Sequence, residues 1–447
     1  MATRLIKTQG TGTSTKKFTF SAWVKKSSNT TAHDQVIYGS YNDGNNRITL
    51  YFTSNKLALY VAVSGSTIGA FTTNRLFRDV SAWYHIVLAV DTTQGTSSNR
   101  IKLYVNGIQE TSFASTTYPS QDAVLPTGTS SYQHALGYYS GGGSSAFIGY
   151  LSHPAYCDGT ALTATSFGFT DTTSGIWKFK PPSGFTFGNN GFHLKFENSG
   201  NIGLDSSGEG NNFTTSTGTP LQSLDTPTNV LATLNSLYKD GGSAITYTNG
   251  NTTADVGSGN DWCTSPSTLG VSAGKWYFEA KLTLNSHVEA YIGVANQGNL
   301  QIKTNEANYL GEDTDTIGYY SGSGDYYYNA SATSYGNSWT TGDIVGCAMD
   351  IDNSKLYFSK NGTWQNSGVP TSGSTGTGAI ALNHTAGDVW HLCVSPNQSK
   401  LDCNFGNGFF GTTAITSAGS NGNGYLFEYD VPSGYYALST KNINTYG

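Results

Sequence analysis

Charge is scarce in this chain. Asp, Glu, Lys and Arg together make up 12% of its 447 residues, with a net charge of -6. No cluster of Lys and Arg interleaves with aromatic residues. The nearest basic run, "STKKF" at residues 14–18, is too short for a phosphate-binding track, which argues against a nucleic-acid partner. Long apolar runs are missing as well, so no segment reaches membrane-spanning length and membrane insertion is not expected. The first residues, "MATRLIKTQG", lack the apolar stretch of a secretory signal, which predicts folding in a cytoplasm. Cysteine is sparse: five residues, an odd number, with no Cys-x-x-Cys pair. That excludes an evident disulfide framework or zinc site, and Cys347 and Cys393, in "VGCAM" and "HLCVS", read as small buried hydrophobes. The His residues show no metal-ligand spacing, and no cofactor is expected.

What is abundant is turn-forming and aromatic. Gly contributes 55 residues and aromatics 13% of the chain. "KFTFSAWVKK" alternates, with Phe18, Phe20, Ala22 and Val24 on one face, and "NRITLYFTSN" runs through Ser-Asn into "KLALYVAVSG" as a hairpin. Similar short segments recur on both sides of residues 199–230, a stretch with few large apolar residues and no sustained period. The fold class is therefore all-β, with two antiparallel β-sandwich (jelly-roll-like) domains in tandem, joined by a Gly/Ser/Thr-rich connector. The expected boundaries are 1–199, a connector at 200–237, and 238–447. Within the connector, Phe213, Leu221 and Leu224 are the residues able to pin it to a surface. The helix-like piece is "TALTATSFG", residues 160–168.

Two stretches rhyme: "HIVLAVDTTQGTSSNRIKLYVNG" at residues 85–107 and "DIVGCAMDIDNSKLYFSKNG" at residues 343–362. Each runs from a buried strand through an Asp-containing turn into "KLY" and Asn-Gly, a pair that tolerates the positive φ of a tight hairpin tip. Asn106-Gly107 and Asn361-Gly362 are therefore predicted hairpin tips, a matter of turn chemistry rather than catalysis. A second echo, "PPSGFTF" from Pro181 and "VPSGYYA" from Val431, lies near the end of each half.

"FTFSAWVK", "WYHIVLAVD", "RIKLYVNG" and "FIGYLSHPAYCDGTALT" occur in the order of a laminin G-like, or concanavalin A-like, lectin/glucanase domain, which residues 6–198 resemble. "GKWYFEAKL", "AYIGVAN", "GDIVGCAMDIDNSKLYFSKNGTW" and "CNFGNGFF" make residues 238–424 resemble a SPRY domain. The pair of modules, with "LDSSGEGNNFT", "LDTPTNVLATLN" and "YDVPSGYYALSTKNI", is similar to virion structural proteins of tailed, marine-type bacteriophages. That resemblance implies a non-enzymatic tail fibre or surface adhesin that binds host-surface glycan or protein through sandwich loops. Its alternative is a head-decoration or tail-scaffold subunit that contacts other virion proteins, and a glycan-degrading enzyme ranks third. It also implies assembly in the host bacterial cytoplasm, a place on the virion surface and a homo-oligomer, such as a trimer.

No catalytic constellation stands out. "GVSAG", residues 270–274, leads into a predicted strand rather than the helix of a nucleophile elbow. "GNGFFG", residues 406–411, has no following helix to receive phosphate. A sandwich glucanase needs paired carboxylates, and the Glu-x-Asp-x-x-Glu pattern is absent. Glu279 and Glu289, expected on neighbouring strands, read as structural or surface residues. "DIDNSK" lacks the Gly and distal Glu of a calcium loop, and Asp43 and Asp91 are the calcium candidates that the laminin G-like resemblance implies. For glycan binding the candidates are aromatic: Tyr138 and Tyr139 in "GYYSGGG", and Tyr326, Tyr327 and Tyr328 in "GDYYYN".

Overall fold

The structure, a computed structural model, describes residues 3–138, 145–238, 245–257, 262–285, 289–298, 300 and 309–447. It divides into two compact units, Met1–Gln222 and Ser223–Gly447. Each is a pair of β-sheets closed over an apolar core, as the alternating segments predict.

In the first unit an eight-stranded sheet runs in the order Phe113–Thr117, Ser66–Thr73, Lys56–Val63, Asn46–Thr53, Gln35–Asp43, Gln133–Leu136, Arg4–Thr8, Thr214–Thr217. The facing six-stranded sheet runs Phe192–His193, Gly149–Asp158, Lys17–Lys26, Trp83–Asp91, Ile101–Val105, Ile108–Glu110. Phe18, Phe20, Ala22 and Val24 all enter the core between them, as period-two alternation requires. Ser54 and Asn55 both adopt positive φ, 47° and 62°, and close the expected hairpin as a primed turn.

The second unit has a nine-stranded sheet. Its main path is Thr246–Thr248, Thr253–Asp255, Ser399–Asn404, Lys275–Asn285, Ile344–Asp350, Lys355–Lys360, Thr363–Trp364. The opposing six-stranded sheet runs Ser265–Pro266, Trp390–Pro396, Ala290–Asn296, Thr316–Tyr320, Asp325–Tyr328, Ser331–Ser334. Trp276, Phe278, Ile292, Val294, Val345, Cys347, Trp390 and Leu392 fill the space between the sheets.

Each unit adds an irregular third layer over the outer face of one sheet. In the first, Phe167, Phe187 and the half-buried Trp177 and Phe185 cover Val87, Ala89, Tyr104, Ala155 and Cys157. In the second, Tyr425, Phe427, Val431, Tyr435 and Ala437 cover Tyr277, Ala348 and Tyr357. The echoed "PPSGFTF" and "VPSGYYA" segments belong to these straps.

Residues 200–237 are divided between the units. Thr214–Thr217 pairs with Arg4–Thr8, and Phe213 is buried in the first core. Leu231 and Leu234 are buried in the second unit, where Leu224 packs half-buried; Leu221 stays exposed. The helix-like segment at 160–168 forms only a three-residue 3-10 turn, Ala164–Ser166. Among the described residues the α-helix is instead Thr440–Tyr446, whose first turn is capped by the Ser439 hydroxyl accepting the Asn442 N–H.

Candidate functional site

The carboxylates singled out in the sequence are engaged in structural bonds. Asp43 is exposed, and its Oδ1 accepts the Asn45 and Asn46 N–H groups at 2.8 and 2.9 Å. Asp91 accepts the Thr93 N–H and hydroxyl and the Gln94 amide, and its Oδ2 lies 3.4 Å from Lys17 Nζ. These donors hold both carboxyls below the usual carboxylate range against the opposing effect of burial. Asp43 and Asp91 end strands of different sheets. Among the described residues, no three His, Cys, Asp or Glu side chains come together as a metal-binding group.

Glu279 and Glu289 are not on neighbouring strands, contrary to the sequence reading. The strand that carries Glu279 belongs to the nine-stranded sheet, and the next strand, which Glu289 precedes, crosses to the other sheet. Glu279 is fully buried under the strap. It accepts the Glu428 and Tyr429 N–H groups, both at 2.9 Å, the Tyr277 hydroxyl at 3.1 Å and the Asn404 amide at 3.3 Å. Burial raises its pKa to about 7 despite these donors. Glu289 accepts the Asn397 amide at 2.9 Å.

The tyrosine candidates separate by the pleat of their strand. Tyr326 and Tyr328 pack on the core of the second unit, whereas Tyr327 points to the opposite face. Tyr138 is half-buried, and Tyr139 lies outside the described residues.

Tyr327 joins a cluster of five rings on the outer face of the six-stranded sheet. Tyr291 is its centre and is 3% exposed. Tyr309 and Tyr320 stack against Tyr291 with centroids at 5.2 and 4.8 Å and planes inclined 19° and 27°. Tyr327 stands edge-on to all three, at 88°, 88° and 80°. Trp262 is tilted against the same three, with centroids 4.9, 5.8 and 6.2 Å away. Four of the rings therefore present half-buried surface around a buried one.

Glycines let the chain lie flat here. A Cβ at Gly318 would sit 2.4 Å from the Leu310 carbonyl oxygen and 2.8 Å from the Tyr291 ring. The segment that brings Tyr309 onto the sheet depends on that absence. Burial pushes the Tyr291, Tyr309 and Tyr320 phenols upward, and nearby Glu289, Glu312 and Asp313 add to the effect. Such a surface offers aromatic faces for stacking and phenol hydroxyls for hydrogen bonds.

Residues 3–166 match the family model described as the concanavalin A-like lectin/glucanases superfamily, and residues 275–382 match that of the SPRY domain. The chain carries a laminin G/concanavalin A-like domain followed by a SPRY domain. Among curated proteins it is similar to a "Probable ATP-dependent RNA helicase ddx1" of Dictyostelium discoideum, 28% identical over 33% of this chain and 16% of that protein. It is also similar to "ATP-dependent RNA helicase DDX1" of Xenopus laevis, 34% identical over 23% of this chain and 12% of that one. "Ran-binding protein 9" of Danio rerio is 30% identical over 20% of this chain and 15% of the relative. The chain thus spans less than a fifth of the length of these relatives. Among solved structures, the SPRY domain of human HERC1 is 18% identical, with a TM-score of 0.28, over 38% of this chain and 96% of that one. A pentraxin from Limulus polyphemus is 18% identical, with a TM-score of 0.27, over 36% of this chain and 72% of that one.

Short strands, turn pairs and the SPRY hairpin were readable in the sequence. The aromatic face was not, because Trp262, Tyr291, Tyr309 and Tyr320 come from separate segments. The one usable signal was the tyrosine triplet, of which the pleat commits only the middle member to this face.

Proposed function

We propose that this chain is a non-enzymatic structural protein of a tailed-phage virion, and that it binds a host-surface glycan through the outer aromatic face of the SPRY unit. The observation that carries the reading is the five-ring cluster around Tyr291. Aromatic faces with neighbouring hydroxyls suit the alternating C–H and O–H surfaces of sugars. The engagement of Asp43, Asp91 and Glu279 by structural donors supports binding rather than hydrolysis. In this reading the protein sits at the virion surface, contacts other virion proteins and works as a homo-oligomer, for which a trimer is the expected form. Repetition of one weak site then raises avidity without new contacts.

The test is saturable binding of the labelled full chain to intact host cells, with soluble surface polysaccharide as competitor. Competition, together with weaker binding by Trp262→Ala, supports the reading. A folded chain that does not bind, alone or displayed in multiple copies, overturns it in favour of a subunit that contacts only other virion proteins.

A further inference from the structure

Two imidazoles face each other at one edge of the six-stranded sheet of the first unit. Nδ1 of His153 lies 3.1 Å from Nε2 of His193. The rings come from adjoining strands, Gly149–Asp158 and Phe192–His193, which pair through Ala155 and His193. The first of these strands bulges between Ser152 and Ala155 where it pairs with Lys17–Lys26. Inside that bulge His153 has a φ of 50°, uncommon for a non-glycine residue, although the following Pro154 favours extended backbone there. Bulges of this kind re-aim a side chain. Here the re-aimed ring is also clamped: Phe179 stacks on it, with centroids 3.9 Å apart and planes 19° from parallel.

His193 is buried, and burial lowers the pKa of both rings. Both are therefore neutral at pH 7, and each has one ring nitrogen without a proton. A hydrogen bond between the rings uses one of these nitrogens. Moving its proton to the far nitrogen of the same ring leaves both facing nitrogens free as ligands. Two zinc–imidazole bonds of about 2.0–2.1 Å span this separation at an N–Zn–N angle of about 100°. The centroids are 5.3 Å apart and the rings point nearly at one another, so seating an ion turns each inward. Of the charged groups that act on the pair, Glu197 and Asp205 favour a cation and Lys195, 3.8 Å from Glu197, opposes it.

We infer that His153 and His193 form a two-histidine site for a first-row divalent transition-metal ion, zinc or copper, with water in the remaining positions. The inference is independent of the glycan-binding reading. It needs two protein ligands, not the group of three that the described residues lack. Imidazoles suit zinc and copper, whereas magnesium and calcium prefer oxygen. The bound ion staples the edge strand Phe192–His193 to the bulge beside it and so stabilises the first unit.

The experiment is calorimetric titration of the full chain with zinc chloride at neutral pH, with magnesium chloride as competitor. One zinc ion should bind per chain, and magnesium should not displace it. His153→Asn, which keeps a residue tolerant of left-handed φ, and His193→Gln should each weaken zinc at least about tenfold. Copper(II) should bind more tightly than zinc, and its spin-resonance spectrum should show splitting from two imidazole nitrogens. Zinc should also raise the melting transition of the first unit and leave that of the second in place.

Zinc binding that is equal in the parent chain and in both variants overturns the assignment. So does a chain that takes no zinc, or one whose zinc magnesium displaces. If a variant melts well below the parent without metal, the copper spectrum of the parent decides: two imidazole nitrogens uphold the pair, and one or none overturns it.

Discussion

The side-chain carbonyl of Asn106, at a hairpin tip, accepts the backbone N–H of His85 on the neighbouring strand at 2.7 Å. Asn106 returns its own N–H to the His85 carbonyl at 2.9 Å. In the second unit Asn361 repeats both bonds with Ile344, at 2.9 and 2.8 Å. The two asparagines share nearly the same φ, 48° and 49°, a left-handed conformation that Asn tolerates better than most residues. The rhyme between residues 85–107 and 343–362 therefore records one mechanical device used twice. At each tip it extends the pairing of the hairpin's first strand with its neighbour by one residue, beyond Val105–Ile86 and Lys360–Val345.

Removing that side chain should destabilise one unit and spare the other. Asn106→Ala loses the acceptor for the His85 N–H and places alanine at positive φ, at a cost of about 1–2 kcal/mol. For a unit of this size that lowers the melting temperature by about 2–4 °C per kcal/mol. Calorimetry of the full chain should show the first unit's transition moving while the second stays. Asn361→Ala should do the reverse. Equal movement of both transitions would contradict the independence of the two devices.

The glycine after each asparagine makes a second, separable prediction. A Cβ on Gly107 would fall 2.4 Å from the Trp177 ring, and one on Gly362 would fall 2.6 Å from the Tyr429 ring. Trp177 and Tyr429 both come from the straps, so each hairpin tip seats an aromatic of the third layer. Trp177 is further held by donating its indole N–H to His85 Nδ1 at 3.0 Å. Gly107→Ala should therefore displace Trp177, raising its fluorescence quenching by solvent as well as lowering stability by more than about 1 kcal/mol. Unchanged quenching by a soluble quencher would show that the ring is seated by other contacts.

The strands, the Asn-Gly tips and the two-sandwich plan were legible because they rest on local rules: alternation at Phe18–Val24, and positive φ at Asn106 and Asn361. The straps were visible only as an echo. Their residues follow no period, and Phe187 or Tyr435 gains its role from a sheet face formed elsewhere in the chain. The placement of Glu279 and Glu289 failed for a related reason. Consecutive strands in a sandwich often cross between sheets, so nearness in sequence did not mean shared pairing. Tyr326–Tyr328 shows the limit most clearly: composition marks three rings, and the pleat leaves one for the outer face.

Glu279 fastens the second strap through its two backbone N–H contacts, and this supplies a third test. In Glu279→Gln, one carbonyl oxygen replaces two carboxylate oxygens, and the new amide N–H groups face existing donors. The loss should be about 3 kcal/mol, in line with hydrogen bonds made by a charged acceptor. Hydrogen exchange should report it locally, with the Glu428 and Tyr429 amides and the rest of residues 425–437 losing protection first. Protection lost uniformly across the second unit would mean that Glu279 supports the sheet rather than the strap.

Acid should separate the two units. Burial holds His85 and His134 down to about 3, and His153 and His193 down to about 4, all in the first unit. His85 lies between Trp23 and Trp177, and His134 contacts the Tyr38 hydroxyl at 3.0 Å. The facing nitrogens of His153 and His193 are 3.1 Å apart, with Lys195, Glu197 and Asp205 nearby. Each of these groups has a folded pKa below its unfolded value of 6.5, so the unfolded chain binds more protons as the pH falls. Their stabilisation is complete above about 6.5 and is lost as the pH falls toward 4, at up to about 1.4 kcal/mol per pH unit for each histidine.

In the second unit His391 is lowered in the same sense, but Glu279 runs the other way. Its folded pKa of about 7 lies above the unfolded 4.5, so its contribution is full below 4.5 and declines as the pH rises through 7. Between pH 7 and pH 4.5 the first unit's melting transition should therefore fall much further than the second's. His153→Gln should shrink that difference, because it removes one of the four protonation sites and leaves Glu279 untouched. Transitions that move in parallel over this range would show that the four buried histidines do not set the acid response of the first unit.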